Sequence, residues 1–575
     1  MGADAFGGYF SSVVSDYAGG KATEHTFRPA LKRLVEEIAP GVRATNEPKR
    51  VECGAPDYIV TRPERYGSLT IGYMEAKDIG KLTPDIEKGD QMRRYLKALP
   101  NLVLTDYLEF RWYTEGMQRQ RARLASVGAN RTLVRERDGE GEVLKLLQNF
   151  LNHAVQQVSK PEDLALRMAR LTHIIRDIIV EAFEKDVASP LLRGWRETLA
   201  KVLIADLNQP EKAAEFADMF AQTLAYGLFS ARIMDKTPDD FSRQEAQYLI
   251  PPTNPFLRDF FYEISGPRLN DEPFVGFVDD LAALLAHTDM ESVLADFGKR
   301  TRQEDPVVHF YETFLAAYDP KLREARGVYY TPEPVVSYLV RSVDRLLKER
   351  FGCPDGLADA RKVTVANRDP GLKVKGTNEM RKTVESHRVL VLDPACGTGT
   401  FLYSVVDHIR AEFMARNDAG MWSGYVKEHL LPRLFGFELL MAPYAVAHFK
   451  LGLQLAGRDL PEEERGEWAY DFGSEERLGV YLTNTLEGAH EYTGLPLLTQ
   501  FVADETNAAN RVKRDLPIMV VMGNPPYSGH SANKGEWISA LVRDYYKVDG
   551  QPLGERNPKW LQDDYVKFIR FGQWR

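Results

Sequence analysis

The chain has only three cysteines in 575 residues, Cys53, Cys353 and Cys396. So few exclude a disulfide framework and suit a reducing compartment. No Cys/His spacing for metal ligation occurs. No uninterrupted apolar run is long enough to cross a bilayer, so no membrane partner is expected. The opening Met1-Gly2-Ala3-Asp4-Ala5-Phe6 lacks the basic start and apolar core of a secretory leader. Phe6 also stands where a myristoylation signal needs Ser or Thr. There is no Gly-x-x-x-x-Gly-Lys-Ser/Thr, so no ATP-driven motor is expected, and there is no internal repeat. Positive charge is not in excess. Lys and Arg number 74 against 83 Asp and Glu, for a net charge of −9, which runs against a nucleic-acid partner. One local exception is the series Arg111, Arg119, Arg121, Arg123, Arg131, Arg135 and Arg137. It reads either as a solvated hairpin or as a surface that tracks phosphates. Apolar and charged fractions of 44% and 27% are those of a globular protein, and the length allows about three domains.

What is present begins with Asn524-Pro525-Pro526-Tyr527, which closes the apolar run Leu516–Gly523. A strand delivering a rigid Pro-Pro turn suits the grasp of a planar amine. The Asn524 carboxamide oxygen can accept one N–H of an exocyclic amino group, and the Pro525 carbonyl, on a ring-locked backbone, can accept the other. Two acceptors free the nitrogen lone pair for attack, and Tyr527 can stack on the ring. Upstream, Val389-Leu390-Val391-Leu392-Asp393-Pro394-Ala395-Cys396-Gly397-Thr398-Gly399-Thr400 reads as a buried parallel strand, a glycine turn and a helix starting near Thr400. Gly397 and Gly399 allow close approach of a ligand to backbone, and the helix start offers free N–H groups.

Together these residues resemble the gamma-class adenine-N6 DNA methyltransferases. The resemblance covers roughly 300–575 and follows that family's motif order. It implies that Asp393, Pro394, Ala395, Gly397 and Gly399 bind S-adenosylmethionine. Tyr330, Thr331 and Pro332, in Arg326-Gly327-Val328-Tyr329-Tyr330-Thr331-Pro332, would contact its methionine part. Glu438, ending Phe435-Gly436-Phe437-Glu438, would bind the ribose hydroxyls, since a carboxylate can accept from both. Family members often carry Glu-Ile-Asp there; here Leu439 and Leu440 follow, so only the Glu carries over. Asn484, after the third strand at Leu478–Leu486, would lie near the adenine ring. Asn524, Pro525, Pro526 and Tyr527 would be the catalytic turn.

A second group of chemistry-bearing residues lies near the N-terminus. Gly54–Val60 and Ile71–Lys77 read as strands joined by a turn-rich stretch, Thr61–Ser68. Glu75 and Lys77, two apart, share one face of their strand. Asp57 on the neighbouring strand can converge on them. Two carboxylates there can hold Mg²⁺, and Lys77 can orient water and stabilise charge on a phosphate. Gln91 and Tyr95 share a helix face. This pattern resembles the PD-(D/E)XK nucleases, with Asp57 and Glu75 as implied metal ligands, Lys77 and Gln91 (of the Gln-x-x-x-Tyr motif) as catalytic residues, and Glu24 as a candidate extra acid on the first helix.

Residues 143–300 carry apolar spacing near 3.6 almost throughout, as helix-packing faces do. The expected organisation is α/β and multi-domain: a nuclease-like α/β domain over 1–140, a helical connector over 141–300, and an incomplete doubly wound, Rossmann-like methyltransferase domain over 301–575. Pro354–His387 reads as a polar insertion, Arg458–Arg477 as an acidic one, and Ser528–Pro558 as a loop-rich segment beside the target base. The resemblance places strands and a target-recognition domain beyond the catalytic turn. A truncated chain is therefore expected, with little sequence-specific methylation alone. A further polypeptide completing the fold joins double-stranded DNA among expected partners.

The resemblance as a whole is to single-chain type IIG and type ISP restriction-modification enzymes. It implies adenine-N6 methylation with S-adenosylmethionine, Mg²⁺-dependent cleavage, and a prokaryotic cytoplasm with the enzyme held on the nucleoid by DNA. Open alternatives are a defence methyltransferase with an inactive nuclease domain, a protein-glutamine methyltransferase, and a non-catalytic fragment that binds DNA or cofactor.

Overall fold

The computed structural model describes residues 1–575 apart from 1, 21, 47–55, 65–66, 154–157, 236, 238–240, 252, 296–305, 320–330, 370, 474–475, 491–499, 527–530, 532 and 556–557. Tyr330, Tyr527 and Cys53 lie outside the described residues. Cys353 and Cys396 are buried free thiols. The chain divides into two compact units. One comprises Met1–Ser189, Arg232–Ala246 and Ser265–Val293, the other Pro190–Ala231, Gln247–Ile264 and Leu294–Arg575. Both mix helices with sheet, so the architecture is α/β and multi-domain. The segment 141–300 contributes helices to both.

The first unit opens with α1 (Gly2–Ala18) and α2 (Glu24–Ile38). Glu24 thus begins the second helix, not the first. The sequence reading missed α1, which contains Gly7 and Gly8 yet buries Phe6, Tyr9 and Val13 along one stripe. A six-stranded sheet follows in the order β1 (Arg43–Thr45), β2 (Tyr58–Glu64), β3 (Gly67–Ala76), β4 (Asn101–Thr105), β5 (Glu109–Thr114), β6 (Met117–Arg123). Only β3 and β4 pair in parallel, and α3 (Asp90–Ala98) makes the crossover that a parallel pair needs. The stretch expected to be a turn, Thr61–Ser68, is mostly strand: Arg62 pairs with Leu69, Pro63 with Ser68 and Glu64 with Gly67. Strand pairing here overrides the turn tendency of Pro63, Gly67 and Ser68. One sheet face, with Val60, Met74, Val103 and Phe110, packs with α1, α2 and α4 (Gly139–Leu151). The other carries Tyr73, which stacks on Phe277 of α6 (Val275–Ala286), and Arg94 of α3 lies 3.7 Å from Glu181 of α5 (Pro161–Glu184).

The arginine series falls on the β5–β6 hairpin and beyond it. Arg111, Arg121 and Arg123 all converge on the buried Glu109. Burial alone would raise the Glu109 carboxyl, but the three guanidiniums hold it down at about 2. Arg135 pairs with Glu140. Much of this positive charge is matched within the fold, and less is left for phosphates than the sequence suggests.

The second unit holds a four-stranded, wholly parallel sheet of β9 (Val391–Asp393), β10 (Leu434–Glu438), β11 (Val480–Leu482) and β12 (Val520–Val521). Its spatial order is β11-β10-β9-β12. The chain therefore steps outward from β9 twice and returns to β9's other side. Helices α8 (Thr400–Arg416), α9 (Met441–Leu455) and α10 (Gln500–Asp515) make the crossovers. Leu390, Leu392, Phe435, Phe437, Val512 and Phe571 form the core. The expected polar insertion over Pro354–His387 contains a hairpin, β7 (Lys362–Ala366) with β8 (Thr383–His387). It follows α7 (Glu333–Arg350). Among the described residues of the segment 528–558 there is more regular structure than a loop-rich reading implies. The segment includes α11 (Glu536–Val542) and a short hairpin, Lys547–Val548 with Gln551–Pro552. The reason is burial: Ile538 and Val542, one turn apart, pack against Leu486. The chain continues into α12 (Asp564–Trp574).

Candidate functional sites

In the second unit the chemistry gathers at the carboxyl ends of the parallel strands, beside β9, where the strand order reverses. Open α/β sheets bind ligands in such crevices. Asp393 ends β9 and is 1% exposed. Its Oδ1 accepts from Ala395 N at 3.1 Å, while Oδ2 is buried without a hydrogen-bond partner. Burial, with Glu438 nearby, raises this carboxyl to about 8. Thr398 Oγ1 is likewise buried and unpartnered. Gly397 (φ +53°) has open space where a Cβ would project. A loop with two orphaned buried polar atoms and a vacant side-chain direction suits a ligand rich in donors. An ammonium or hydroxyl group would satisfy Asp393 at little cost.

Glu438 ends β10. Its Oε2 accepts from Gly397 N at 2.9 Å, and its Oε1 from Leu439 N and Leu440 N at 2.9 Å each. Three of about four acceptor sites on a carboxylate are thus in use. A diol would have to share them. Asn484 follows β11, next to Thr483, whose N–H donates to Glu438 O at 2.8 Å. The Asn484 amide is occupied by the loops: Oδ1 accepts from Leu486 N at 3.0 Å and Nδ2 donates to Asn533 Oδ1 at 3.0 Å. Beneath it, the buried Lys513 donates to Asn484 O at 2.8 Å and Glu487 O at 3.1 Å, and burial brings its amine down to about 7. Thr485 Oγ1 donates to Pro394 O at 2.5 Å, tying the β11 loop to the glycine loop.

The turn after β12 meets the same place. Gly523 lies so close to Asp393 that a Cβ there would overlap Oδ1. Asn524 and Pro526 are exposed and Pro525 is half-buried. Asn524 is therefore one residue from the glycine-loop carboxylate, with its side chain open to solvent. Thr331 and Pro332 lead into α7. Among the described residues no hydrogen bond joins them to the glycine loop.

In the first unit, Asp57 (2% exposed) and Glu75 (3%) are adjacent. Glu75 Oε2 accepts from Asp57 N at 3.3 Å, and Asp57 Oδ2 from Ala76 N at 2.7 Å. Lys77 Nζ donates to Glu75 Oε1 at 2.6 Å and to Gln91 Oε1 at 3.3 Å, and Gln91 Nε2 donates to Tyr95 Oη at 3.0 Å. All five residues thus form one chain of contacts. Burial, then the Asp57 charge, raises Glu75 to about 7, and burial also raises Asp57. Burial pushes the Lys77 amine down, but Glu75 and Asp57 outweigh it, and the net direction is up. The lysine stays an ammonium. Two adjacent buried carboxylates, raised chiefly by burial, are oxygen donors of the kind a divalent cation takes.

Sequence reasoning missed Arg28. It is buried on α2, pairs with Asp57, and reaches Glu24 Oε1 at 3.2 Å. Its only sequence signal is a position one helical turn after Glu24. Elsewhere, Asp344, His408 and Glu412 also lie close together, but Lys348 already bridges the two carboxylates, at 2.8 and 2.5 Å.

A thermal measurement checks the cation reading. An acid whose folded value is raised contributes a cost that grows as pH rises from its ordinary value to the folded one. For Glu75 that window runs from 4.5 to about 7, at about 1.4 kcal/mol per unit. Relative to Glu75→Gln, the metal-free wild type should therefore lose stability between pH 5 and 7 and stay level above. Mg²⁺ should raise its melting temperature at pH 8 but hardly at pH 5. An equal Mg²⁺ shift in Glu75→Gln would rule out cation binding at this pair.

No family model matches the chain, and no curated protein matches it. Solved structures do. It is similar to a chain of a DrdV–DNA complex at 22% identity and TM-score 0.41, covering 99% of this chain and 48% of that one. It is similar to the type ISP restriction-modification enzyme LlaBIII bound to DNA, an ATP-dependent enzyme, at 20% identity and TM-score 0.47, covering 76% and 25%. A nuclease-deletion mutant of the type ISP enzyme LlaGI, with a DNA substrate mimic, gives 19% identity and TM-score 0.45, covering 75% and 30%. The chain spans less than half the length of each of these three. Among the described residues no helix is long and apolar enough to cross a membrane.

Proposed function

We propose that this chain carries the S-adenosylmethionine-dependent adenine-N6 methyltransferase of a restriction-modification enzyme, with a Mg²⁺-dependent endonuclease centre in its first unit. The observation that carries the reading is the meeting of Gly523 with Asp393, which sets the amine-grasping turn against the glycine loop. S-adenosylmethionine, when bound, supplies an electrophilic methyl group. The unpartnered Asp393 and Thr398 oxygens and the space beside Gly397 suit its ammonium and hydroxyl groups, and Glu438 has an acceptor site to offer the ribose. Asn524 and the Pro525 carbonyl take the two N–H groups of a flipped adenine, hold the lone pair in line, and need no strong base before attack. Double-stranded DNA is the partner.

The test is direct. The full chain is incubated with labelled S-adenosylmethionine and DNA, and the nucleosides are analysed. Label on N6-methyladenine is expected. Label on cytosine C5, or on protein glutamine alone, would refute the assignment. For the first unit, Mg²⁺ held by Asp57 and Glu75 would supply the charge that phosphodiester hydrolysis needs, with Lys77 orienting water. A second reading has one observation in its favour: Arg28 already neutralises Asp57 without a metal. On that reading the first unit binds DNA without cutting it, and the Mg²⁺ melting experiment separates the two.

A further inference from the structure

The β7–β8 hairpin of the second unit is an arm. Beyond the ladder that joins Lys362–Ala366 to Thr383–His387, its two legs stay paired. Asn367 N donates to Lys382 O at 3.0 Å, Arg381 N to Leu372 O at 2.8 Å and Val374 N to Glu379 O at 2.8 Å. Gly376, with φ +83°, lies at the tip. The buried Asn367 side chain accepts from Asp369 N and donates to Asp369 O, both at 3.0 Å, and so fixes the extra residues on the first leg. Residues 371–383 are all exposed. The ribbon therefore stands free on both faces, at most about 30 Å long at about 3.3 Å per residue.

Lys362, Arg368, Lys373, Lys375, Arg381 and Lys382 lie along it, all exposed, against three acids, Asp369, Glu379 and Glu385. Arg361, just outside the arm, pairs with Asp359. Among the described residues none of the six cations on the arm pairs with a carboxylate. Lys373 Nζ reaches the Asn378 amide oxygen at 3.4 Å, and Arg381 Nε donates to Lys373 O at 3.0 Å. The β5–β6 hairpin is the opposite case, since three of its arginines close on the buried Glu109. Cations held together on one narrow ribbon repel one another, and an anion spread along the ribbon relieves that repulsion. Leu372, Val374 and Met380, also exposed, lie among them near the tip.

We infer that the β7–β8 arm is a contact surface for duplex DNA, held through the phosphates, at a place separate from the crevice beside β9. The inference rests on DNA being the partner, and not on the methyl-transfer chemistry. A two-stranded ribbon fits the major groove. Cations on both legs and at the tip suit a groove, which has phosphates on two sides, better than a flat acidic surface, which meets one face only. The apolar side chains near the tip suit sugars and thymine methyl groups. The place follows from topology. β8 ends at His387 and β9 begins at Val391, so the arm is rooted at the amino end of that strand, while Asp393 and the glycine loop lie at its carboxyl end. Arg368 marks the same end: after burial, its charge helps bring Arg575 down to about 10, and Arg575 donates to Leu516 O, ahead of β12. The arm adds affinity for DNA without touching the amine.

Binding of the full chain to a labelled duplex of about 30 base pairs is followed by fluorescence anisotropy between about 50 and 200 mM salt. Replacing Lys373, Lys375, Arg381 and Lys382 together by Gln should weaken binding about tenfold or more and flatten the slope of log K on log salt by about 2–4, at about 0.9 per phosphate contact. A control with the same loss of charge, Lys32→Gln, Lys88→Gln, Arg345→Gln and Lys427→Gln, removes exposed cations that already have carboxylate partners. It should change affinity less than about threefold. Glu379→Gln with Glu385→Gln should tighten binding, a gain that misfolding cannot imitate. Equal losses in the arm variant and the control, or no loss in either, would overturn the inference. So would preference for a single strand over the duplex, or arm-dependent capture of poly-glutamate in place of DNA. In the methylation assay the arm variant should raise the KM for DNA and leave kcat at saturating DNA unchanged. Arm-dependent DNA binding without label on adenine would refute only the methyltransferase reading. Label on adenine with the arm variant binding DNA as wild type would refute only the arm.

Discussion

Replacing Asn524 with alanine is expected to abolish labelled methyl transfer to DNA, by about a hundredfold or more, while S-adenosylmethionine binds almost as before. On the proposed reading the carboxamide would contribute one of the two acceptors for the amine, and removing one aligned partner from a preorganised reaction centre costs about 10²–10³ in rate. Asn524 is exposed, so its truncation leaves no cavity, and the neighbouring glycine loop keeps its own bonds, among them Gly397 N to Glu438. Calorimetry with cofactor beside an assay for transfer reads the two effects separately. Loss of both together would show that Asn524 supports the loop rather than the amine.

Lys77→Ala should remove Mg²⁺-dependent cutting or nicking and leave methyl transfer unchanged. Its ammonium lies 2.6 Å from Glu75 Oε1, so the substitution removes the partner that helps Glu75 ionise and, on the proposed reading, a charge that would face the phosphate. Glu75 should then titrate higher still, and any residual cleavage should have its pH optimum moved upward. A loss of about a hundredfold or more is expected. Cleavage at the original rate would remove the nuclease assignment, and a requirement for ATP would point to a motor on another chain.

Local sequence carried much of this arrangement. Alternation puts Glu75 and Lys77 on one face, and the spacing of Gln91 and Tyr95 gives one helix face; both rules act within a few residues. The helix start at Thr400 is announced by Gly399, whose φ is +79°. What sequence did not reveal depends on distant partners. Arg28 meets Asp57 across 29 positions. Asp280 collects Thr70 and Tyr73 from more than 200 positions away because of a bulge that no propensity signals. Glu109 gathers three arginines that looked available for phosphate. Gly523 read as the end of an apolar run, and only the neighbouring strand explains why it carries no side chain. The α11 helix reads as loop in the sequence because its short apolar stripe has meaning only once Leu486 is beside it.

The first unit is assembled from three separate stretches of chain, with pieces of the second unit between them. A single protease cut, or a single recombination junction, cannot release it whole. Excision at residue 140 or 189 would leave behind α6, whose Asp280 anchors Tyr73 on the strand that bears Glu75. Exchange of this unit between genes would require several crossovers at once, so the two units should be inherited together. A stand-alone nuclease fragment would have to be made by stitching the three stretches, not by trimming one end.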